Sequence, residues 1–240
     1  MKNKFKINFY IDGFNIYHKI KEYQYKTGKC YKWLNYKSLF ESLLQNDEEI
    51  NKIYFFTAIA KDFEKASIDR HNKYITALEN VGIEIIMGRF IPKPIKRTIS
   101  HKNHLGKVIM DNKITIYSRE EKETDVNIAL FMLRDFFKNK IDEEKCDKQF
   151  LLSSDGDFIP VLKTIRDFEG CPGLITPPYD GRNVQIPQID GLRRACFKKD
   201  GKFMVINLTF NMLERHSFPL EVWNFHKTIF VEMPKEYQTF

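Results

Sequence analysis

Apolar runs of strand length alternate along this chain with stretches whose apolar residues recur at helical spacing. Phe5 to Ile11 reads as a strand, Asp12-Gly13-Phe14-Asn15 as the turn after it, and Ile16 onward as a helix. A polar and aromatic loop follows from Tyr25 to Leu34, then a helix from Tyr36 to Leu44. Asn51 to Ala58 is the second strand. Its helix runs from Phe63 to about Val81, with Ile68, Ile75 and Leu78 on one face and Gly82 as the stop. Ile83 to Phe90 is the third strand. From Asp125 the pattern is helical again, with Val126, Ala129, Leu130, Leu133 and Phe137 on one stripe. A strand through Phe150 then meets the turn Asp155-Gly156-Asp157, and a helix continues to about Phe168, ending near Gly170. Cys171 to Thr176 is a fifth strand closed by Pro177 and Pro178. After a loop from Tyr179 to Asn183 come a short helix from Gln188 to Ala195, an edge strand from Phe203 to Ile206 and a short helix from Leu208 to His216. Repeated strand-helix units of this kind predict an α/β fold, a mainly parallel central sheet flanked by helices.

One segment interrupts the alternation. Pro92 and Pro94 open an irregular basic stretch, at about residues 92 to 119, that holds Lys93, Lys96, Arg97, His101, Lys102, His104 and Lys107. Within it, Val108 to Tyr117 reads as two short strands around a hairpin turn at Asp111-Asn112. With no internal repeat and no linker-like tract, the economical reading is one domain over residues 1 to 206 carrying a basic loop or hairpin insertion. Residues 207 to 240 then form a carboxy-terminal helix and tail packing on the same domain.

Composition narrows the function classes. Hydrophobic residues make up 42% of the 240, and no apolar run approaches the roughly 20 residues that span a bilayer, so no membrane role is expected. The amino terminus lacks an apolar targeting core, which places the expected location in the cytoplasm. Cys30, Cys146, Cys171 and Cys196 form no C-x-x-C pair and are expected to be reduced thiols. His101 and His104 have no cysteine or third histidine at zinc-site spacing. A formal charge of +7 suits a polyanionic partner, although a chain rich in Lys, Ile, Asn, Phe and Tyr also arises from A/T-rich coding alone. Lys96, Arg97, Lys102 and Lys107 are the candidates for holding a nucleic-acid backbone, with Tyr117 near them to stack a base. A solvated loop is the plainer alternative.

The chemistry lies in carboxylates at strand ends. Asp155 and Asp157, separated only by Gly156, follow a deeply apolar strand, where open α/β sheets place ligands. One such carboxylate can serve as a helix cap; two suggest a cation. Asp12 ends the first strand in the same way, beside Gly13, with Asn15 at the expected helix start. A phosphatase of the haloacid type is excluded by Phe14, which stands where a second carboxylate would be needed. Asp125 opens the fourth helix, where it also favours the helix dipole. Glu123 is a weaker candidate that belongs equally to a solvated acidic run with Glu120 and Glu121. Asp12, Asp125, Asp155 and Asp157 would satisfy Mg²⁺ or Mn²⁺, which takes a few carboxylates together with water and substrate phosphate, while Ser153 and Ser154 are candidates to support them.

Three segments, Tyr10-Ile11-Asp12-Gly13-Phe14-Asn15-Ile16-Tyr17, Thr124-Asp125-Val126-Asn127-Ile128-Ala129-Leu130 and Leu151 to Leu162, closely resemble the motifs of the NYN domain family, a branch of the PIN-like nucleases. The resemblance runs from about Phe5 to about Ile206. It implies a PIN-like fold and an acidic pocket for Mg²⁺ or Mn²⁺ used to cleave RNA. It carries metal-ligand and catalytic roles onto Asp12, Asp125, Asp155 and Asp157, with Asn15 in support. The chain departs from the family at Glu123-Thr124, where relatives often have a glycine, and at Phe197-Lys198-Lys199, which intervenes before Asp200. The resulting expectation is a metal-dependent endoribonuclease, with RNA as partner, DNA still open and homo-oligomerisation left open. A catalytically silent RNA-binding module and a metal-dependent phosphatase or nucleotidase are the alternatives.

Overall fold

A computed structural model of the chain describes residues 4–59, 64–102, 105, 108–141, 145–178, 187–196 and 204–238, with only the backbone described along much of the segment from 97 to 120. Six parallel strands form the central sheet: β1 (Phe5–Asp12), β2 (Glu48–Thr57), β3 (Glu84–Met87), β6 (Lys148–Leu152), β7 (Pro172–Thr176) and β8 (Val205–Asn207), in the order β3-β2-β1-β6-β7-β8. The α/β fold expected from the alternation is therefore present, a mainly parallel sheet with helices on both faces.

The central strands β1, β6 and β7 are buried on both sides along most of their length. Along β1, Ile7, Phe9 and Ile11 join one core and Tyr10 the other, so the strand reads as a continuous apolar run, as buried parallel strands do. The first core packs α1 (Gly13–Thr27), α2 (Tyr36–Glu41) and α3 (Lys65–Asn80) on one face through Ile16, Ile20, Leu39, Phe40, Ala77 and Leu78. The second packs α4 (Thr124–Lys140), α5 (Ile159–Asp167) and α6 (Pro187–Ala195) on the other through Ile128, Met132, Leu162, Ile165, Leu192 and Ala195.

The second layer contains one polar knot. Asp135 of α4 is only 2% exposed, yet it accepts hydrogen bonds from the Tyr10 hydroxyl (2.8 Å) and the Asn8 amide (3.0 Å) of β1 and from Arg134 (2.7 Å). Gln149 of β6 donates to the same Tyr10 hydroxyl at 2.8 Å. A buried carboxylate is tolerated only when paired and hydrogen-bonded, so this network fixes α4 across the two central strands.

The insertion is more regular than its prolines suggest. β4 (Arg89–Lys102) and β5 (Val108–Lys122) form a long antiparallel ribbon, and β4 runs straight through Pro92 and Pro94. Spaced by two, both ring nitrogens fall on the same side of the strand, where no donor is owed to the partner. The turn expected at Asp111-Asn112 lies instead inside β5. Thr98 pairs with Lys113 and Ser100 with Met110, so Asp111 and Asn112 together oppose Ile99 in a β-bulge. The third strand also ends earlier than expected, at Met87, with Gly88 separating it from the ribbon.

The tail adds α7 (Phe210–Arg215) and a hairpin of β9 (Glu221–Trp223) and β10 (Phe230–Glu232), the latter without a sequence signal strong enough to be expected. Trp33 donates to the Pro219 carbonyl at 2.8 Å, Asn80 to the Val222 carbonyl at 2.9 Å, and Arg70 pairs with Glu236 at 2.8 Å. Among the described residues no helix is long and apolar enough to cross a membrane. The loop expected at 179–183 and the Phe197 to Asp200 segment lie outside the described residues.

Candidate metal centre

Strand order reverses between β1 and β6: the chain steps from β1 to β2 on one side, and from β6 to β7 on the other. The crevice beyond the carboxyl ends of these two strands is the topological switch point at which open α/β sheets bind ligands. Asp12 is the last residue of β1, and Ser153, Ser154 and Asp155 follow directly on β6.

Hydrogen bonds lock the two strand ends together. Asp12 caps α1 by accepting from the Asn15 backbone N–H at 3.0 Å, and its other oxygen accepts from the Ser153 hydroxyl at 2.8 Å. The same Ser153 oxygen accepts from the Asp155 N–H at 3.0 Å. Asn15, expected at the helix start, is the third residue of α1, and Asp12 does the capping instead. That frees the Asn15 side chain, whose oxygen accepts from both the N–H (3.0 Å) and the hydroxyl (2.8 Å) of Ser154. Asp155 in turn caps a short 3-10 helix, Gly156–Phe158, by accepting from the Asp157 N–H at 3.0 Å.

Asp125 arrives from a third direction, in the first turn of α4. Asp125, Asp155 and Asp157 each present an oxygen within 4.8 Å of the others. Partial burial, and then repulsion from the charges of Asp155 and Asp157, raises the Asp125 pKa. Asp12 is 5% exposed, and burial, against the help of Asn15 and Ser153 and with the charges of Asp125 and Asp155, pushes its pKa up to about 6. Exposed and half-exposed oxygens facing one another fit a hard divalent cation, which takes carboxylate ligands and retains water. Such an ion would relieve the repulsion that the bare carboxylates feel.

A further carboxylate joins this group. Glu121, which the sequence places in a solvated acidic run, stands at the base of β5 with one oxygen buried and without a hydrogen-bond partner among the described residues. Burial and the charges of Asp12 and Asp125 push its pKa up to about 7. The signal that would have identified it is strand register: Glu121 pairs with Phe90, where the ribbon leaves the sheet, and is not part of a loop. Glu123 is turned to another task. It adopts a left-handed backbone conformation (φ 79°) just before α4 and its carboxylate pairs with Arg89 at 2.7 Å.

The other expected ligand-binding residues are more dispersed. Lys96 is exposed on β4; Arg97 and Lys102 lie on the same strand, and Lys107 falls outside the described residues.

The NYN domain model matches residues 6–185, three quarters of the chain. The chain belongs to the NYN domain family. In this family's PIN-like nuclease fold an acidic cluster at the sheet's carboxyl edge is the expected centre, and this NYN domain has an aspartate cluster suited to a divalent metal. Among curated proteins it is similar to the 6-hydroxy-3-succinoylpyridine 3-monooxygenase HspA of Pseudomonas putida (strain DSM 28022 / S16), with 28% identity over 213 residues and 80% of this chain covered. The match takes in 65% of that relative's length, so this chain spans a little under two thirds of it. A crystal structure of a protein of unknown function from Vibrio parahaemolyticus RIMD 2210633 resembles it with a TM-score of 0.52 and 16% identity, covering 87% of this chain and 95% of the other; the likeness is one of fold.

A cavity of about 180 Å³ opens on the other face of the same sheet edge, between α1 and α3, with Gly13, Phe14, Tyr17, Thr57, His71 and Phe90 among its walls.

Proposed function

We propose that this NYN domain is a metal-dependent ribonuclease that hydrolyses phosphodiester bonds at the carboxyl edge of its sheet. The observation that carries the reading is the convergence of Asp125, Asp155 and Asp157 within 4.8 Å, beside Asp12 and at the switch point of the sheet. When bound there, Mg²⁺ or Mn²⁺ supplies polarisation of the phosphate and a more acidic water. Asp125, Asp155 and Asp157 would hold the ion. Asp12 stays fixed by Ser153 and the Asn15 N–H, while Asn15 and Ser154 hold the β6 exit in place. Water attacks phosphorus as the bond to the leaving sugar oxygen breaks, and that oxygen takes up a proton from solvent, giving a phosphate end and a free hydroxyl. Glu121, whose buried oxygen has no hydrogen-bond partner among the described residues, takes the proton the water loses. The ribbon carrying Lys96, Arg97 and Lys102 guides the phosphate backbone, and the protein works in the cytoplasm.

End-labelled RNA and DNA pools incubated with Mn²⁺, Mg²⁺ or chelator, with native protein and Asp155→Asn, test this. Metal-dependent RNA cutting that the variant loses is the expected result. RNA binding without cutting by either protein would establish a binding module instead, and hydrolysis of free nucleotides alone would establish a nucleotidase.

A second reading draws on the aromatic cavity beside the carboxylates: action on a small heteroaromatic acid of the kind named for the Pseudomonas relative. Oxygen uptake with 6-hydroxy-3-succinoylpyridine and a supplied reductant, unaffected by Asp155→Asn, would favour it over the nuclease.

A further inference from the structure

The cavity between α1 and α3 adjoins the acidic centre through residues next to its carboxylates. Gly13 and Phe14 directly follow Asp12, and Phe90 is the cross-strand partner of Glu121. Directly opposed residues of an antiparallel pair have Cβ atoms about 5 Å apart on one face. Thr57 ends β2 one residue beyond Phe56, the register partner of Asp12. Neighbouring strands lie about 4.8 Å apart, so the cavity's polar wall is one strand removed from the Asp12 backbone. A strand of nucleic acid crossing the sheet's carboxyl edge can set a phosphate on the carboxylates and turn its base into this space.

The lining has the chemistry of a ring-binding site. Phe14 meets Phe90 edge-on at 5.5 Å between ring centres, and Tyr17 and Tyr74 add further aromatic surface. The Tyr74 hydroxyl is already committed to the Leu34 carbonyl at 2.8 Å. Polar recognition is left to Thr57 and His71, whose hydroxyl and Nε2 hydrogen-bond each other at 3.1 Å and so hold each other in place on the wall. Burial lowers the His71 pKa, which favours the neutral ring; with Nε2 engaged by Thr57, Nδ1 is the ring nitrogen left for a ligand, donor or acceptor according to the tautomer. Lys32 lies 5.6 Å from the Tyr17 ring centre and 5.8 Å from that of Tyr237, and among the described residues no carboxylate pairs with it.

Size selects the ligand. An apolar cavity of about 150 Å³ accepts benzene. At about 180 Å³ this one suits a single six-membered ring with a few polar substituents and is small for a fused bicycle.

We infer that the cavity is a subsite for a pyrimidine base, uracil or cytosine, stacked on Phe14 and Tyr17, bonded by Thr57 and His71, and flanking the phosphate held at the carboxylates. The inference rests on the nuclease reading and makes it specific: cutting occurs beside pyrimidines. Aromatic stacking with a few edge hydrogen bonds is how proteins read unpaired bases in RNA.

Two measurements test it separately from the nuclease itself. Uridine, cytidine, adenosine and guanosine 5′-monophosphates are titrated by calorimetry into the 240-residue chain carrying Asp155→Asn, without metal. The pyrimidine nucleotides are expected to bind at least about tenfold more tightly than the purine ones, and adding Tyr17→Ala or His71→Leu is expected to weaken them roughly tenfold. Tyr17 is 39% exposed, so its replacement tests the site even if the His71 variant fails to fold. Ribose 5-phosphate, which has no base, serves as the control, and its binding should not change in either variant. Cut sites of the native protein on the RNA pool are mapped in parallel. Metal-dependent cutting with no pyrimidine preference and no base-dependent nucleotide binding overturns the subsite and leaves the nuclease intact. Tighter binding of 6-hydroxynicotinate than of uridine monophosphate also overturns it, in favour of a small-molecule pocket. Pyrimidine-selective binding sensitive to Tyr17, with no RNA cut, upholds the subsite and removes the nuclease.

Discussion

Replacing Asp12 with asparagine should make the metal-free protein more stable at alkaline pH, although on the nuclease reading it removes a residue the reaction needs. Asp12 is buried at the end of β1, and its pKa rises from 3.8 to about 6 mainly because burial disfavours the charge. Below pH 3.8 the side chain is neutral whether folded or unfolded and costs nothing. Between 3.8 and about 6 the unfolded chain loses its proton first, so folding stability falls as pH rises; above about 6 the penalty is complete. At about 1.4 kcal/mol for each tenfold change in proton affinity, it amounts to about 3 kcal/mol. The asparagine oxygen keeps the cap to the Asn15 N–H, and its amide can donate to the Ser153 oxygen. The Ser153 hydroxyl hydrogen then loses its present acceptor, 2.8 Å away, at a cost of about 1 kcal/mol. A net gain of about 2 kcal/mol follows at pH 8. Urea unfolding in EDTA at pH 8 and pH 4 measures it. The variant should be more resistant at pH 8 and show no advantage at pH 4. A variant less stable at pH 8, or a difference that does not change with pH, refutes the argument that buried charge dominates at this position.

Three further expectations concern the surroundings of that charge. Glu121 and Asp12 hold protons up to about pH 7 and 6 in the metal-free protein, so Mn²⁺ affinity by calorimetry should rise through that range and level off above it. Glu121→Gln should remove the upper part of the rise; an affinity flat from pH 5.5 to 8 would contradict this. Neutralising Lys96, Arg97 and Lys102 together should weaken binding of single-stranded RNA and lower its log-log salt slope by about 2, at about 0.7 for each phosphate no longer neutralised. An unchanged slope assigns the ribbon to solvent. Gly13→Ala would place a Cβ 2.5 Å from the Phe56 carbonyl oxygen and 2.8 Å from the Phe55 ring, so α1 must shift and carry Asp12 with it. A loss of about 1 to 3 kcal/mol in chemical unfolding is expected, with a loss of cutting, and native stability would show that the strand ends yield more easily than their hydrogen bonds suggest.

The layered fold was legible because each central strand is buried on both faces and each helix on one. Phe5 to Ile11, Asn51 to Ala58 and Phe150 to Leu152 are largely apolar runs, and the helices between them carry one apolar stripe each. Strand ends bearing Asp12 and Asp155 were legible for the same reason, since a charge directly after a buried strand needs a partner. What misled was local chemistry that tertiary pairing overrides. Asp111-Asn112 has turn-forming side chains but sits in a bulge, because the ribbon around it already supplies a partner for the backbone. Pro92 and Pro94 look like breakers, yet in a two-stranded ribbon every strand is an edge and tolerates them. The β9-β10 hairpin has only 3 residues per strand and too short a pattern to register.

Glu121 shows why the ribbon belongs to the site and is more than a decoration on it. Its neighbours Glu120 and Lys122 make the local sequence look like a solvated run, and only the pairing of Glu121 with Phe90 reveals that the ribbon's base is folded against the sheet edge. From that base, Glu121 brings a carboxylate to Asp12 and Asp125, Phe90 closes the aromatic cavity, and Arg89 holds Glu123. Glu123 occupies the left-handed conformation that a glycine takes without strain, and relatives often carry glycine near this motif. An ion pair from the ribbon thus supports the turn that aims Asp125. On this reading the ribbon acts twice, once by guiding phosphates along Lys96 and its neighbours and once by fixing the geometry at its root. Shortening the ribbon beyond Ile95 and Ile116, which face each other across it, separates the two effects. RNA affinity should fall while metal affinity and the stability of the core are kept. A truncation that also abolishes Mn²⁺ binding would mean that the tip, and not the root, holds the centre together.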